Sequence, residues 1–540
     1  MKKIFEEYHK VFFALIAVLL LYPTLQKGYV MLLDWSVLPN ISLADITWSL
    51  DSVGAIIYKS LSIILGVEIV QRIVLFSIVF FAGTAGFRLA KRAGTVFAQY
   101  FAGLLLIFNP LIYARTIEQP NIAGGTVLFF WFLVYFLEYL EDKNRKKIIF
   151  ASILGAFSVS FFIHSVFFIG ISTIILLFFE FLKGRNWKFS LRTVLTVFLF
   201  IIVFNSNWLF SFASGTTQGI GGIGKFSVDD VYAFATSDVG DNSVYVTVLA
   251  LQGYWGEYQD RFVSIQENPL WSMAFVFIFA LSAFGAWMRF KRKDAFAKPL
   301  LSMFLVAFVL AIGIASPFFE SLALFLYQHI PLYIGLREPQ KWVAVMVFVY
   351  AYFGAYGIKY LLEIKGLQNY RKEIGIFCAI LPIIFSFSII NGMHKHLTPH
   401  EFPLEWQQAK EYLQENPTEE KILIFPWHSY MNLDFAEKNI IVPQQFFGKN
   451  AIRGNNTEFG GVYSHSQDAQ TLEIEKYIQT DIKKKKTIDY GTFVGDMKNM
   501  DIGFVILLKA EDWQDYQWLD KIGGAKKVLE NDKLITYKLQ

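Results

Sequence analysis

What most constrains this chain is the recurrence, between residues 11 and 391, of apolar runs long enough to cross a bilayer. A hydrocarbon core takes about 20 predominantly apolar residues per helix. Runs of that character occupy 11–33, 73–90, 95–112, 122–140, 148–163, 166–182, 193–211, 270–289, 299–316, 341–362 and 374–391. They predict about eleven transmembrane helices. Only His164 and Ser165 separate the pair at 148–182, and a shorter apolar stretch at 244–254 stands outside the count.

Composition narrows the class further. Of 540 residues, 54% are hydrophobic and 17% charged, where a soluble domain carries roughly a quarter charged. A soluble single domain and a disordered chain are excluded. Lysine plus arginine (49) against aspartate plus glutamate (45) leaves a net charge of +4, too even a balance for a nucleic-acid partner. The single cysteine, Cys378, cannot form an internal disulfide and reads as a small buried hydrophobe. What remains is a polytopic α-helical membrane protein.

Basic residues set its orientation. They cluster at Lys2, Lys3 and Lys10, at Arg88, Lys91 and Arg92, and at Lys143, Arg145, Lys146 and Lys147. Further clusters follow at Lys183–Arg192, Arg289–Lys298 and Lys359–Lys372. Every second loop is basic, so the N-terminus is expected in the cytoplasm. The first run lacks a small-residue cleavage site and reads as a retained signal anchor. An odd number of spans then puts everything beyond about residue 392 outside.

That last region is a separate domain. The predicted boundaries are a membrane domain over 1–395 and an extracytoplasmic α/β domain over 396–540, which is charged and has no run long enough to span. Glu405–Glu415 and Gln470–Lys486 read as helices, and 421–425 and 504–508 as buried strands. A closing hairpin turns at Asn531-Asp532. His428 and His465 lie in loop-like stretches, with ordinary loop histidines preferred to metal ligands. Trp427 and Tyr430 have two readings, stacking against a sugar ring or burial in the domain core.

Charges at membrane depth are costly, so those at outward-facing span ends are the informative ones. Three clusters qualify. Asp34, followed by Trp35, ends the first run, either as a functional carboxylate or as an interface anchor. Behind it, residues 42–65 carry apolar side chains at helical spacing and are expected along the membrane surface, with Asp45 and Asp51 on the solvated face. The second cluster runs from Asn109 to Asn121. Pro110 and Pro120 are expected to break the helices and leave a short outer loop bearing Arg115, Glu118 and Gln119, a structural ion pair or a site. The third is Pro331–Trp342, where Arg337 and Lys341 set two cations at the level of lipid phosphates and Glu338 lies between them in sequence. Headgroup anchoring is the alternative there. Residues 316–330 ahead of it read as a re-entrant or interfacial hairpin.

In order and sidedness these features resemble the GT-C superfamily of integral-membrane glycosyltransferases, most of all its prokaryotic YfhO-like and arabinofuranosyltransferase-like branches. The resemblance rests on Asp34 after the first span, the amphipathic first outer loop, Asn109-Pro110…Tyr113…Arg115, and Arg337-Glu338-Pro339…Lys341. It covers roughly residues 1–395. Many members carry two adjacent acidic residues after the first span, whereas here Asp34 is followed by Trp35.

The resemblance implies a GT-C-like transmembrane fold, an external C-terminal α/β domain and a prokaryotic cytoplasmic membrane. It also implies a hexosyl- or pentosyltransferase that takes a sugar from a polyprenyl-phosphate donor. The acceptor is a glycan, lipid or protein on the outer face. In that scheme Asp34 is the general base, with Glu118 as the alternative. Arg337, Lys341 and Arg115 hold the donor phosphate, and Glu338, Asn109, Tyr113 and Gln119 orient the substrates. A single base with direct displacement inverts the anomeric centre. No cofactor is assigned, no metal ligands are named, and a divalent metal stays open.

Two other classes compete. A transporter or lipid flippase would show internal repeats and charges near the bilayer midplane. The chain has no convincing repeat, and its charges sit at the outer boundary. An inert envelope protein binding polymer through its outer domain is the third class.

Overall fold

In the computed structural model, residues 7–35, 39, 41–48, 51–213, 228–459, 462–464, 469–478 and 490–540 are described. The chain divides into two compact units. The first comprises Met1–Leu25, Ser42–Ile223 and Phe234–Thr398, and the second Gln26–Ile41, Gly224–Ala233 and Pro399–Gln540.

The first unit is helical. Its principal helices are α1 (His9–Leu21), α2 (Val53–Leu65), α3 (Val67–Ala90), α4 (Val96–Ile107), α5 (Pro110–Glu118), α6 (Pro120–Asp142) and α7 (Arg145–Phe161). They continue as α8 (Ser165–Leu182), α9 (Trp187–Ala213), α10 (Trp271–Lys291), α11 (Ala297–Ile312), α12 (Glu320–His329), α13 (Val343–Glu363) and α14 (Arg371–Phe385). Among the described residues, 8 helices are long and apolar enough to cross a membrane, or 9 if Lys365–Phe385 and Phe387–His394, bent by 69°, form one span.

Every apolar run read from the sequence contains helix, and helix length accounts for the difference in count. The run at 11–33 is helical only over His9–Leu25, and α7 has 17 residues, the first three of them basic. Helix α13 is the centre of the unit, with 89% of its apolar window buried. It reaches α10 at glycines, where a β-carbon on Gly357 would collide with the carbonyl of Leu281, and one on Gly285 with that of Phe353. Small residues at a crossing let two membrane helices approach at backbone distance.

Three local expectations are corrected. The stretch 109–121 is not a loop, because Pro110 and Pro120 each sit at the start of a helix, where no backbone donor is lost. Asn109 caps the first of these, accepting from the Ile112 N–H at 3.0 Å. Residues 316–330 contain a single ten-residue helix, α12, rather than a hairpin. Asp51 is not solvated, since it pairs with Lys59 at 2.7 Å, while Asp45 closes a capping box with Ser42.

The second unit is built on a sheet of β1 (Lys421–Phe425), β2 (Ala451–Ile452), β3 (Ile502–Leu508), β4 (Ala525–Glu530) and β5 (Leu534–Leu539). The order is β2-β1-β3-β5-β4. β1 runs parallel to both β2 and β3, and β5 pairs antiparallel with β3 and β4. All seven residues of β3 are buried, which is why its sequence is an unbroken apolar run. A helix covers Leu404–Glu415. Of the predicted lysine-rich helix, Ala469–Glu475 is helical, and its last residues, with His465, lie outside the described residues.

Trp427 packs with Phe425, Val505 and Tyr516 in the core of this unit, which decides between its two readings in favour of burial. The segment after the first helix belongs here as well. Tyr29 and His400 exchange backbone hydrogen bonds, each 2.9 Å, and the Ile441 N–H donates to the Leu33 carbonyl at 2.9 Å.

Candidate functional site

The α5–α6 junction and residues 333–342 build a charged cluster inside the first unit. Arg115, in the last turn of α5, is fully buried, with Nη1 2.7 Å from Glu338 Oε2. The same nitrogen bonds the Gln119 side chain, and the guanidinium stacks 4.0 Å from the centroid of Tyr254. Lys341 Nζ lies 3.5 Å from the other Glu338 oxygen. Two short 3-10 turns, Tyr333–Leu336 and Pro339–Trp342, hold Arg337, Glu338 and Lys341 ahead of α13.

Burial pushes the Glu338 carboxyl up, but Lys341, Arg115 and Arg337 outweigh it and hold its pKa at about 2. The carboxylate is therefore ionised, and three cations share it. Within this group of four, cations outnumber carboxylates three to one.

Arg337, Glu338 and Lys341 border a cavity of about 370 Å³. Its wall includes Gln119 and Ile122 at the α6 end, Phe162 and His164 beyond α7, Trp208 of α9, and Gly335, Arg337, Glu338 and Lys341. Arg337 lies over Phe234, 4.8 Å from the ring centroid. Gly335 is required there, because a β-carbon would collide with His164 Nε2. Burial, and next the charge of Lys341, hold the His164 pKa well below its ordinary value, so the imidazole is neutral beside the cations.

The structure thus brings together Gln119, Arg337, Glu338 and Lys341 on one wall, with Arg115 directly behind Glu338. Arg115 pairs with that carboxylate through Nη1 and is not among the residues lining the cavity. Glu118 is likewise off the wall, paired with Arg261 at 2.9 Å. Asn109 donates to the carbonyls of Leu105 and Leu106 as it caps α5, and the Tyr113 hydroxyl donates to the Val263 carbonyl at 3.0 Å. Both side chains act on the helix framework.

Asp34 belongs to the second unit, beyond the end of the first helix rather than at its tip. There it is half-buried and accepts a 2.7 Å hydrogen bond from the Tyr430 hydroxyl. Tyr430 thus has a protein partner where the sequence left a sugar-stacking role open. His428 bridges Glu458 at 2.8 Å and Asp512 at 3.0 Å. Burial pulls its pKa down, but these two carboxylates outweigh it and hold the pKa at about 10. Among the described residues no group of three or more His, Cys, Asp or Glu side chains could hold a metal ion.

Sequence reasoning missed His164, Arg261 and Glu257. The first served only to divide two apolar runs, and Arg261 belongs to none of the basic clusters. Glu257 is buried and accepts from Gln252 at 3.0 Å, and burial raises its pKa to about 7. A carboxylate beside aromatic residues in a short amphipathic stretch carries no signal of such burial.

With this geometry in hand, comparison with known proteins places the fold. No family model matches the chain, and no curated protein does. The cryo-EM structure of the arabinofuranosyltransferase AftD from Mycobacteria aligns with TM-score 0.63 at 11% identity, over 98% of this chain and 40% of that one. The fold is GT-C. A variant of AftD aligns at TM-score 0.58 and 10% identity, over 98% of this chain and 41% of that one. A weaker match is ArnT from Cupriavidus metallidurans in the apo state, with TM-score 0.44 and 12% identity over 98% of this chain and 97% of that one. The chain described here spans 40% of the length of AftD.

Proposed function

We propose that this chain is a membrane glycosyltransferase that transfers a sugar from a polyprenyl-phosphate donor to a glycan, lipid or protein acceptor on the outer membrane face. The observation that carries this reading is the cavity of about 370 Å³ bordered by Arg337 and Lys341, in a chain with the GT-C fold. Departure of a lipid phosphate concentrates negative charge on its oxygens, and preorganised cations there stabilise the transition state. Arg337 offers a planar fork of donors to that phosphate, and Lys341 a point charge. Glu338 keeps the two cations in place while Arg115 keeps Glu338 in place. Gln119 faces the cavity with an amide that can accept from and donate to sugar hydroxyls.

Asp34 takes the general-base role, accepting the proton of the acceptor hydroxyl, and one base with direct displacement inverts the anomeric centre. Its bond from Tyr430 fixes the carboxylate's orientation. The membrane is a prokaryotic cytoplasmic membrane, with the C-terminal α/β unit outside.

The decisive experiment compares turnover of a polyprenyl-phosphate sugar by wild type and Arg337→Lys at equal protein. Loss of the bidentate contact costs on the order of 2–4 kcal/mol, roughly a hundredfold or more in rate. The variant keeps the charge and still inserts. Equal rates would remove Arg337 from the site. In the same assay Asp34→Asn, nearly isosteric, abolishes transfer if Asp34 is the base.

A further inference from the structure

A second cavity, of about 830 Å³, lies at the opposite end of α6 from the first. Ile122 lines the first cavity and Glu138 the second. Sixteen residues of helix separate them, about 24 Å at roughly 1.5 Å per residue, close to the thickness of a hydrocarbon core. The second cavity therefore sits at the other membrane face.

Its wall gathers Lys10, Arg88, Lys91, Arg92 and Lys147 from three basic loops that the charge alternation assigns to the cytoplasm. Three carboxylates answer these five cations, and Lys147 reaches two of them, Glu138 at 3.1 Å and Asp142 at 2.6 Å. Arg88 grips Glu138 through two bonds of 2.8 and 2.9 Å, and Arg92 grips Glu141 through bonds of 2.7 and 3.0 Å.

Two buried groups are left over. Arg92 Nη1 and Gln99 Oε1 have no hydrogen-bond partner among the described residues, and Gln99 is only 1% exposed. One is a charged donor and the other an acceptor, at the same wall. The wall also carries the aromatic rings of Phe80, Phe81 and Trp131, and Phe81 is 46% exposed.

We propose that this cavity binds the headgroup of an anionic phospholipid that carries a free hydroxyl. The phosphate takes Arg92 Nη1 and the charge of Lys10 and Lys91, a headgroup hydroxyl donates to Gln99 Oε1, and the acyl chains leave over Phe80 and Phe81. Phosphatidylcholine has neither the net charge nor the donor, so the site discriminates against it. This site is independent of transfer chemistry at the other face.

Native mass spectrometry of the full-length protein, titrated with phosphatidylglycerol and phosphatidylcholine, tests it. Wild type retains phosphatidylglycerol about tenfold better, and Arg92→Gln and Gln99→Leu each lower that retention by a similar factor, the worth of one charge-assisted or buried hydrogen bond. Glu141, freed in the first variant, is partly solvent-exposed, and unchanged thermal melts without lipid show that both variants fold. Equal retention of the two lipids, or wild-type retention in both folded variants, overturns the proposal. Stabilisation by inorganic phosphate that displaces the lipid assigns the cavity to a soluble anion and overturns it as well.

Discussion

At the scale of single residues, the cluster around Glu338 depends on charge balance in a dry place. Removing one partner of a buried ion pair leaves the other uncompensated and costs about 3 kcal/mol or more. Arg115→Met keeps the length and the contact with Tyr254 but deletes the charge beside Glu338. A fall in the thermal midpoint of the purified protein is expected, with partial recovery when Glu338→Gln is added. Glu257 makes the opposite case. Its folded pKa, at about 7, lies above the ordinary 4.5, so the folded state holds a proton that the unfolded state releases. Stability is therefore lost as pH rises from about 4.5 through 7 and stays lower above that. Glu257→Gln removes the titration, so the midpoint difference, variant minus wild type, grows across that window and then levels off. A difference that is flat with pH would show that Glu257 is not buried as an acid.

At the scale of elements, the same residue types gave opposite outcomes according to position. Pro110 and Pro120 read as helix breakers, yet each opens a helix, because a proline at the first helical position loses nothing. Gln119, between the two helices, has non-helical backbone (φ −140°, ψ 69°) and lines the cavity. The α10–α13 crossing was invisible in the sequence, where Gly285 and Gly357 are two glycines among 37. Gly357→Val places a branched side chain against the backbone of α10 and costs about 2 kcal/mol or more, since a packed core does not expand freely. Gly366→Val is the control, because nothing lies within 4 Å of a β-carbon there. Thermal melts of the two variants in detergent are expected to separate clearly.

At the scale of the whole molecule, orientation is the property on which the proposed reaction depends. Alternating basic loops and an odd number of spans predict that a reporter active only in the cytoplasm stays silent when fused after Gln540. A strong signal would reverse the chain and with it the face on which transfer occurs. The second cavity bears on the same point, since Lys10, Arg88, Lys91, Arg92 and Lys147, drawn from three separate loops, converge on one end of the first unit. Arginine and lysine side chains thus line cavities at both ends of α6.

The sequence by itself determined the class of this protein. Apolar runs set the helices because bilayer thickness dictates their length, and the unbroken run 504–508 announced a central strand because both faces of such a strand are buried. It also singled out Arg337, Glu338 and Lys341, which line one cavity, because charges at span ends are the informative ones. Tertiary structure alone decided how those charges are used. Arg115 and Glu338 are 223 positions apart in the chain, and no local pattern reveals that one is buried against the other. Nor does periodicity show that Asp34 folds with Tyr430, because the segment after the first helix leaves helical geometry and joins the second unit through backbone pairing of Tyr29 with His400. Long-range burial chose the partners, and the dielectric of that burial set what each charge can do.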